Sequence, residues 1–268
     1  MRIAAIIISV DYGDLLAWTL RENRHHFDRL VVVTTPRDSR TRQVCDHYYV
    51  RCELTSDFYR SVDGRVDLTA FNKAAGINHG LRQLMQERPP DRDDWYVHLD
   101  ADIVLPPRTR ELLHKVDPDP ACIYGIDRMM CTSFDDYLRY AALPAPQHQN
   151  QIFVRADAFP LGVRVARLDP DGSGYVPIGF FQMWNPVGSG VTDYPQYHQS
   201  AARSDMLFAL RWPRRRRHLI PEIVATHLES EVSPMGQNWN GRRSCSFGPP
   251  PASSILEPNP QPYECERQ

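Results

Sequence analysis

The sequence predicts an α/β fold built on a doubly wound, mainly parallel sheet, and three stretches predict it. Arg2 to Val10 is a continuous Ile-rich run, the composition of a central parallel strand buried on both faces. A polar turn, Ser9-Val10-Asp11-Tyr12-Gly13, leads to apolar residues at Leu15, Leu16, Trp18 and Leu20, which mark a helix from Asp14 to Phe27. Arg29 to Pro36 then reads as a second strand. A strand, helix, strand opening implies a right-handed crossover, and it sends ligands to the carboxyl ends of the strands. The third stretch is Trp95-Tyr96-Val97-His98-Leu99-Asp100-Ala101-Asp102, an apolar and aromatic strand that empties into two carboxylates.

The remaining elements follow in order. Asp38 to Tyr49 reads as a helix and Val50 to Leu54 as a short third strand. Asp67 to Leu84 reads as one helix feeding the acidic strand, with Phe71, Ala74, Ala75, Ile77, Leu81 and Leu84 as its apolar stripe and Asn72 and Lys73 at the stripe's edge. Pro107 to Val116 is a helix and Ala121 to Gly125 a core strand. Leu143 to Gln151 is a loop, and Ser173 to Asn185 is rich in glycine and aromatics. A helix from Ala201 to Trp212 carries Asp205 in its first turn, and a late strand from Leu219 ends at His227. Six prolines between Pro249 and Pro262 predict an extended or disordered tail.

Length and composition bound the class. At 268 residues the chain is long enough for a full core and fits one catalytic unit. With 42% hydrophobic residues, 24% charged residues and a net charge of −2, no bulk bias toward nucleic acid or membrane exists, so any basic site must be local. Nearly all cations are arginine, which makes Lys73 stand out. The N-terminal apolar run is too short to span a bilayer and lacks a secretory cleavage site, so a cytoplasmic protein is expected. The six cysteines show no C-x-x-C pair and read as free thiols.

The chemistry gathers at Asp100 and Asp102. In an extended chain the two point the same way while Ala101 turns back to the body. Two like charges sharing one spot are costly without a partner, and a divalent cation removes the conflict. Oxygen donors suit Mg²⁺ or Mn²⁺, which keep positions open for water and substrate phosphates.

The Ile-rich first strand, the Phe71-Asn72-Lys73-Ala74-Ala75-Gly76-Ile77-Asn78 helix, the His98-Leu99-Asp100-Ala101-Asp102 tip, the Ser204-Asp205 element and the late strand reaching His227 together resemble GT-A glycosyltransferases. The similarity is to small family-2-like transferases of bacteria and phages and spans roughly residues 1 to 247. It implies a Rossmann-like nucleotide-sugar-binding fold, with a mixed, mainly parallel sheet and helices on both faces. It divides the chain into a nucleotide-sugar half (1–105), an acceptor half (106–247) and a Pro-rich tail (248–268). It further implies a nucleoside-diphosphate-sugar donor, UDP-sugar first among them, bridged by Mn²⁺ or Mg²⁺. Asp102 and His227 would then be metal ligands, with Asp100 facing both metal and ribose. Tyr12, Thr34, Thr35 and Asp38 would hold base and ribose, Asn72 and Lys73 the sugar and diphosphate, and Arg242 would close over the phosphates. Asp205 would be the base of an inverting displacement; where the family often shows Glu-Asp, this chain has Ser204-Asp205 and a single acid. Gly179, Phe180, Phe181 and Trp184 resemble the acceptor wall.

The acceptor is read from one basic run, Arg211-Trp212-Pro213-Arg214-Arg215-Arg216-Arg217-His218. A run so near Asp205 in sequence suits a polyanion, with Trp212 and Arg214 as contacts, and points to a hydroxymethylated pyrimidine in phage DNA. Glycan, protein and small-molecule acceptors are the alternatives. A sugar nucleotidyltransferase would carry a Gly-rich phosphate loop after the first strand, and Val10-Asp11-Tyr12-Gly13-Asp14 is not one. A non-catalytic sugar- or nucleic-acid-binding module is the remaining rival, and clustered acids would burden it.

Overall fold

In the computed structural model, residues 1–62, 65–131, 133–141, 167–168, 175–196, 204–228 and 247–248 are described. Twelve strands follow in chain order: β1 (Arg2–Ile8), β2 (Arg29–Thr34), β3 (Arg51–Leu54), β4 (Tyr59–Val62), β5 (Arg65–Phe71), β6 (Asp94–Asp100), β7 (Ile103–Val104), β8 (Ile123–Met130), β9 (Arg167–Leu168), β10 (Tyr175–Val176), β11 (Phe181–Trp184) and β12 (Arg217–His227). The helices are α1 (Gly13–Asn23), α2 (Ser39–His47), α3 (Lys73–Glu87), α4 (Thr109–Lys115), α5 (Phe134–Ala141), α6 (Pro186–Ser189) and α7 (Ser204–Ala209).

Eight strands form the central sheet in the order β3-β2-β1-β6-β11-β8-β12-β7. The β1 pairs with β2 and β6, β2 with β3, and β8 with β12 are parallel, whereas β11 and β7 run antiparallel to their neighbours. This is the mixed, mainly parallel sheet the sequence predicts. Alternation along β1 explains why both faces are apolar. Ile3, Ala5 and Ile7 pack with Leu16 and Leu20 of α1, Val44 of α2 and Leu113 of α4, while Ala4, Ile6 and Ile8 pack with Ala74, Ile77, Leu81 and Leu84 of α3. Helices therefore cover both faces, and each fully buried Leu or Ile contributes about 1.5–3 kcal/mol. Among the described residues no helix is long and apolar enough to cross a membrane.

Two predicted elements differ. The helix expected from Asp67 is a strand, β5, hairpinned to β4, and α3 begins only at Lys73. Asn72 is the reason: its Oδ1 accepts from Ala75 N–H at 3.2 Å, an N-cap that fixes the helix start, and Asn72 N–H donates to Phe58 O at 2.7 Å. The aromatic stretch near Phe181 is a strand inserted into the middle of the sheet. The helix expected over Ala201 to Trp212 is seen as Ser204–Ala209. The loop at 143–151, Arg242 and nearly all of the tail lie outside the described residues. Cys45, Cys52, Cys122 and Cys131 are free thiols.

Candidate active site

The acidic tip is set by α1. Thr19 Oγ1 donates to Ala101 O at 2.7 Å, Asn23 Nδ2 donates to Ile103 O at 2.6 Å, and Leu105 N–H donates back to Asn23 Oδ1 at 2.9 Å. Thr19 and Asn23 lie one turn apart on one helix face, so a single buried stripe satisfies the backbone of the bend. β7 leaves that bend and pairs antiparallel with the end of β12, placing Ile103 opposite His227, and Leu228 N–H donates to Asp102 O at 2.8 Å. Residues 125 positions apart thereby meet: His227 Nε2 lies 3.2 Å from Asp102 Oδ2, with both side chains less than 10% exposed. Asp102 Oδ1 and His227 Nδ1 are buried with no hydrogen-bond partner among the described residues.

Asp100 ends β6 and is joined to the Lys73 ammonium at the first residue of α3. His98, fully buried beneath it, places Nε2 at 3.4 Å from the same carboxylate oxygen. The two acids respond oppositely to this setting. Burial pushes the Asp100 carboxyl upward, against the pull of Lys73, and the Asp102 charge adds to the rise. Burial acts the same way on Asp102, but the His227, Lys73 and Arg128 charges together hold its carboxyl below the usual range. Burial, then the Lys73 charge, keep His98 neutral, well below the ordinary histidine range.

Asp205 opens α7 from the other side. Its Oδ2 accepts from Gly179 N–H at 2.8 Å and its Oδ1 from Met206 N–H at 2.8 Å. A Cβ at Gly179 would lie 2.7 Å from Asp205 Cβ, so only glycine lets the two backbones approach this closely. Burial raises the Asp205 carboxyl, while the Gly179 N–H and the Lys73 charge oppose the rise. Lys73 thus acts electrostatically on Asp100, Asp102 and Asp205 together. Among the described residues no three His, Cys, Asp or Glu side chains converge closely enough to hold a metal by themselves.

No protein-family model matches the chain, and no curated protein is similar to it in sequence. Among solved structures, it is similar to mannosyl-3-phosphoglycerate synthase from Rubrobacter xylanophilus at 16% identity and TM-score 0.35, over 48% of this chain and 41% of that one. It is similar to 4-diphosphocytidyl-2C-methyl-D-erythritol synthase at 16% identity and TM-score 0.35, over 48% and 58%. A third is glucosyl-3-phosphoglycerate synthase from Mycobacterium tuberculosis, in complex with Mn²⁺, UDP and glucosyl-3-phosphoglycerate. There the identity is 10% and the TM-score 0.43, over 84% and 71%. The match spans about two fifths and three fifths of the length of the first two proteins.

The other expected site residues divide by exposure. Tyr12 and Thr35 are part-exposed at the strand ends. Thr34 and Asp38 are not open to a ligand. Asp38 is 2% exposed, and its carboxylate accepts from Asp11 N–H at 2.9 Å, Thr34 Oγ1 at 3.0 Å and Thr41 N–H at 3.0 Å, which makes it the N-cap of α2. Phe181, Trp184 and Trp212 are 0%, 0% and 2% exposed and belong to the core. Trp184 packs edge-on against Tyr96, Tyr194 and Phe208. The aromatic stripe expected as an acceptor wall is instead a central strand covered on both faces; of the expected wall, Gly179 meets Asp205 through its N–H, and Phe180 is buried under the Arg128 guanidinium at 4.7 Å. Arg214 is exposed but far away. Arg217 stands opposite Ile123 and His227 opposite Met130, so seven residue steps along β8 separate the start of β12 from its end at His227, about 23 Å at strand rise.

Two residues near the tip escaped the sequence reading. Arg128, a charge inside the apolar run of β8, is 6% exposed and helps hold Asp102 ionised; a charged residue in a strand otherwise fit for the core was the available signal. Tyr59, on the unpredicted hairpin, has its hydroxyl pushed up to about 12 by burial and then by the Asp11 and Asp38 charges, which puts it beside the β1 and β2 ends.

Proposed function

We propose that the protein is a metal-dependent glycosyltransferase that moves a sugar from a nucleoside-diphosphate sugar, a UDP-sugar in the first instance, to a hydroxyl acceptor. The observation that carries this reading is the meeting of Asp102 and His227 at 3.2 Å at the carboxyl edge of the sheet, beside Asp100 and Lys73. At 3.2 Å apart, His227 Nε2 and Asp102 Oδ2 would both reach one small divalent ion, and Asp102 Oδ1, buried with no partner among the described residues, would be a further oxygen donor. The residues therefore fit Mn²⁺ or Mg²⁺ held by Asp102 and His227 with Asp100 nearby, the remaining positions going to water and donor phosphate. Such an ion supplies positive charge to a departing diphosphate.

The chain's own groups account for the rest. Lys73 sits on the helix facing the tip, where its ammonium neutralises charge that develops on the leaving phosphate. Asp205 takes the proton of the acceptor hydroxyl as the new C–O bond forms and the bond to the diphosphate breaks; its upward shift suits a base working near neutral pH. Tyr12 and Tyr59 are the part-exposed rings placed to meet a nucleotide base, with Thr35 beside them. Arg242 keeps its proposed role over the phosphates. The acceptor carried forward is a hydroxymethylated pyrimidine in DNA, on the strength of the basic run. Glycan, protein and small-molecule hydroxyls are the outcomes that would replace it.

The test is incubation with UDP- and GDP-sugars and Mn²⁺ or Mg²⁺, followed for release of the nucleoside diphosphate. A second arm adds hydroxymethylcytosine DNA, plain DNA and mixed oligosaccharides and reads the mass gain. Metal-dependent donor cleavage is expected. No turnover with any donor would overturn the assignment, and a gain only on oligosaccharides would replace the acceptor.

A further inference from the structure

The basic run lies away from the acidic tip and forms a site of its own. Residues 211–218 hold five arginines, a histidine and no acid, in a chain whose 33 acidic residues outnumber its 31 basic ones. Pro213 leads into a 3-10 turn, Arg214–Arg216, and three residues per turn spread the three side chains in three directions. The turn is rigidly mounted. Trp212 is buried against Phe208 at 5.1 Å, and Arg217 Nε donates to Trp212 O at 2.7 Å. Arg214, Arg215 and Arg216 are exposed, and no carboxylate among the described residues lies within ion-pair distance of them. Asp119 is the acid that senses Arg216 and His218, and it is already engaged by Ala121 N–H at 2.9 Å.

Beside the turn lies an open cleft of about 590 Å³, lined by Tyr175, Pro213, Arg214, Arg215, Arg217 and His218. Its volume is in the range that ligands occupy, roughly 300–1,000 Å³. The His218 ring is backed by Tyr124 in a near-parallel stack at 5.4 Å, so it is a fixed flat surface. Exposed guanidinium groups, here Arg214 and Arg215, at a concave surface that also holds aromatic rings are the combination that grips a phosphodiester strand, the cations taking phosphates and the rings taking bases.

We propose that this cleft binds nucleic acid through its phosphate backbone, at a site separate from the acidic tip. The binding claim stands without the transferase reading. Joined to that reading, which it then rests on, it sets a scale: a distance of about 23 Å along β8, from Arg217 at the clamp to His227 at the tip, corresponds to roughly seven base pairs at 3.4 Å each.

The test uses the full chain without donor or metal and measures fluorescence anisotropy of labelled 20-base single-stranded and 20-base-pair DNA over a sodium chloride series. Three to four phosphate contacts give a slope of log K against log salt of about −3. Arg214→Ala with Arg215→Ala, both exposed and therefore compatible with folding, is expected to flatten the slope by about 2 and to weaken binding at least tenfold at low salt. Arg108→Ala, an exposed arginine paired with Glu111 and not part of the cleft lining, is the control and is expected to change neither. Equal affinity of wild type and double variant, equal loss in the Arg108→Ala control, or binding to phosphatidylserine vesicles with none to DNA would each overturn the proposal. The vesicle arm is needed because Leu207 on α7 and Leu210 just after it are exposed ahead of the turn. The two readings fail separately. DNA binding that survives Asp102→Asn with no donor turnover in the wild type keeps the cleft and removes the transferase, and the converse result does the opposite.

Discussion

Replacing Asp205 by asparagine separates a proton acceptor from a helix cap. The carboxylate receives two backbone N–H groups, from Gly179 and Met206, both at 2.8 Å. Asparagine keeps one oxygen for one of them and turns an NH₂ toward the other, leaving one donor unsatisfied at a cost of about 1–3 kcal/mol. For a domain of this size that is a Tm drop of roughly 2–10 °C, which leaves the protein folded at 25 °C. Loss of a general base costs about 10²–10⁴ in kcat, a far larger effect than the cap alone predicts. The assay is metal-dependent cleavage of the UDP-sugar at saturating donor, with thermal unfolding by circular dichroism on the same preparations. Asp205→Glu, which restores the acid one methylene further out, is expected to recover part of the rate. A kcat for Asp205→Asn within threefold of wild type, together with the predicted Tm drop, would make Asp205 a cap and refute its role as base.

Asp102→Asn removes the charge that faces His227 and should weaken Mn²⁺ binding at least about tenfold by calorimetry while the fold persists. Gly76→Ala would place a Cβ 2.1 Å from a Phe58 ring carbon and 3.1 Å from Ile8 Cδ1, so a loss of about 1–3 kcal/mol in urea unfolding is expected, with a rise in donor KM as the hairpin bearing Tyr59 shifts. His26 is fully enclosed, and burial, then the His25 and Arg110 charges, bring its imidazole down to about 4. Because the unfolded chain binds that proton near pH 6.5 and the folded chain only near 4, stability is intact above the higher value and is lost as pH falls between the two, by about 3 kcal/mol. Urea midpoints of wild type and His26→Gln at pH 7 and pH 4 check this, and an equal acid loss in both would refute it.

What the sequence made legible was whatever a local period encodes. β1, β2 and β6 stand where uninterrupted apolar runs put them, and the acidic tip follows from a two-residue repeat ending at a bend. β12 ends at His227 as its apolar residues do. The hairpin was lost because the residues before Asn72 alternate like a strand yet adjoin a strong helix, and the start signal was the Asn72 cap rather than the apolar stripe. Asp38 was read as open to a ligand because a capping aspartate and a ribose-binding one look alike until its three intramolecular bonds are seen. Phe181 and Trp184 were assigned to a surface because a strand buried on both faces and an aromatic wall have the same composition. Arg214 lies nine residues from Asp205 in sequence, but β12 starts opposite Ile123 and ends opposite Met130, so the basic turn stands at the far end of that strand, about 23 Å from His227.

The least local feature is the one that aligns the two sides of the site. Lys73 begins α3 and Asp205 is the second residue of α7, and no backbone hydrogen bond joins these two helices among the described residues. They are tied instead by buried side chains. Asn78, on α3 below Lys73, accepts from Tyr194 N–H at 2.7 Å and donates to Tyr194 O at 2.9 Å. The Tyr194 hydroxyl donates to Gln182 Oε1, and Gln182 Nε2 donates to Pro177 O at 2.8 Å and Asp205 O at 3.0 Å. Each of these groups is satisfied inside the core, where a missing partner would cost about 1–3 kcal/mol, so the chain of contacts has one low-energy arrangement. Gln182 enters it from β11, the strand inserted antiparallel between β6 and β8. The inserted strand therefore gives the sheet more than packing. It lets one amide hold the backbone of the proposed base, Asp205, at a fixed distance from the helix that carries the lysine, which neither the acidic motif nor the basic run could arrange by itself.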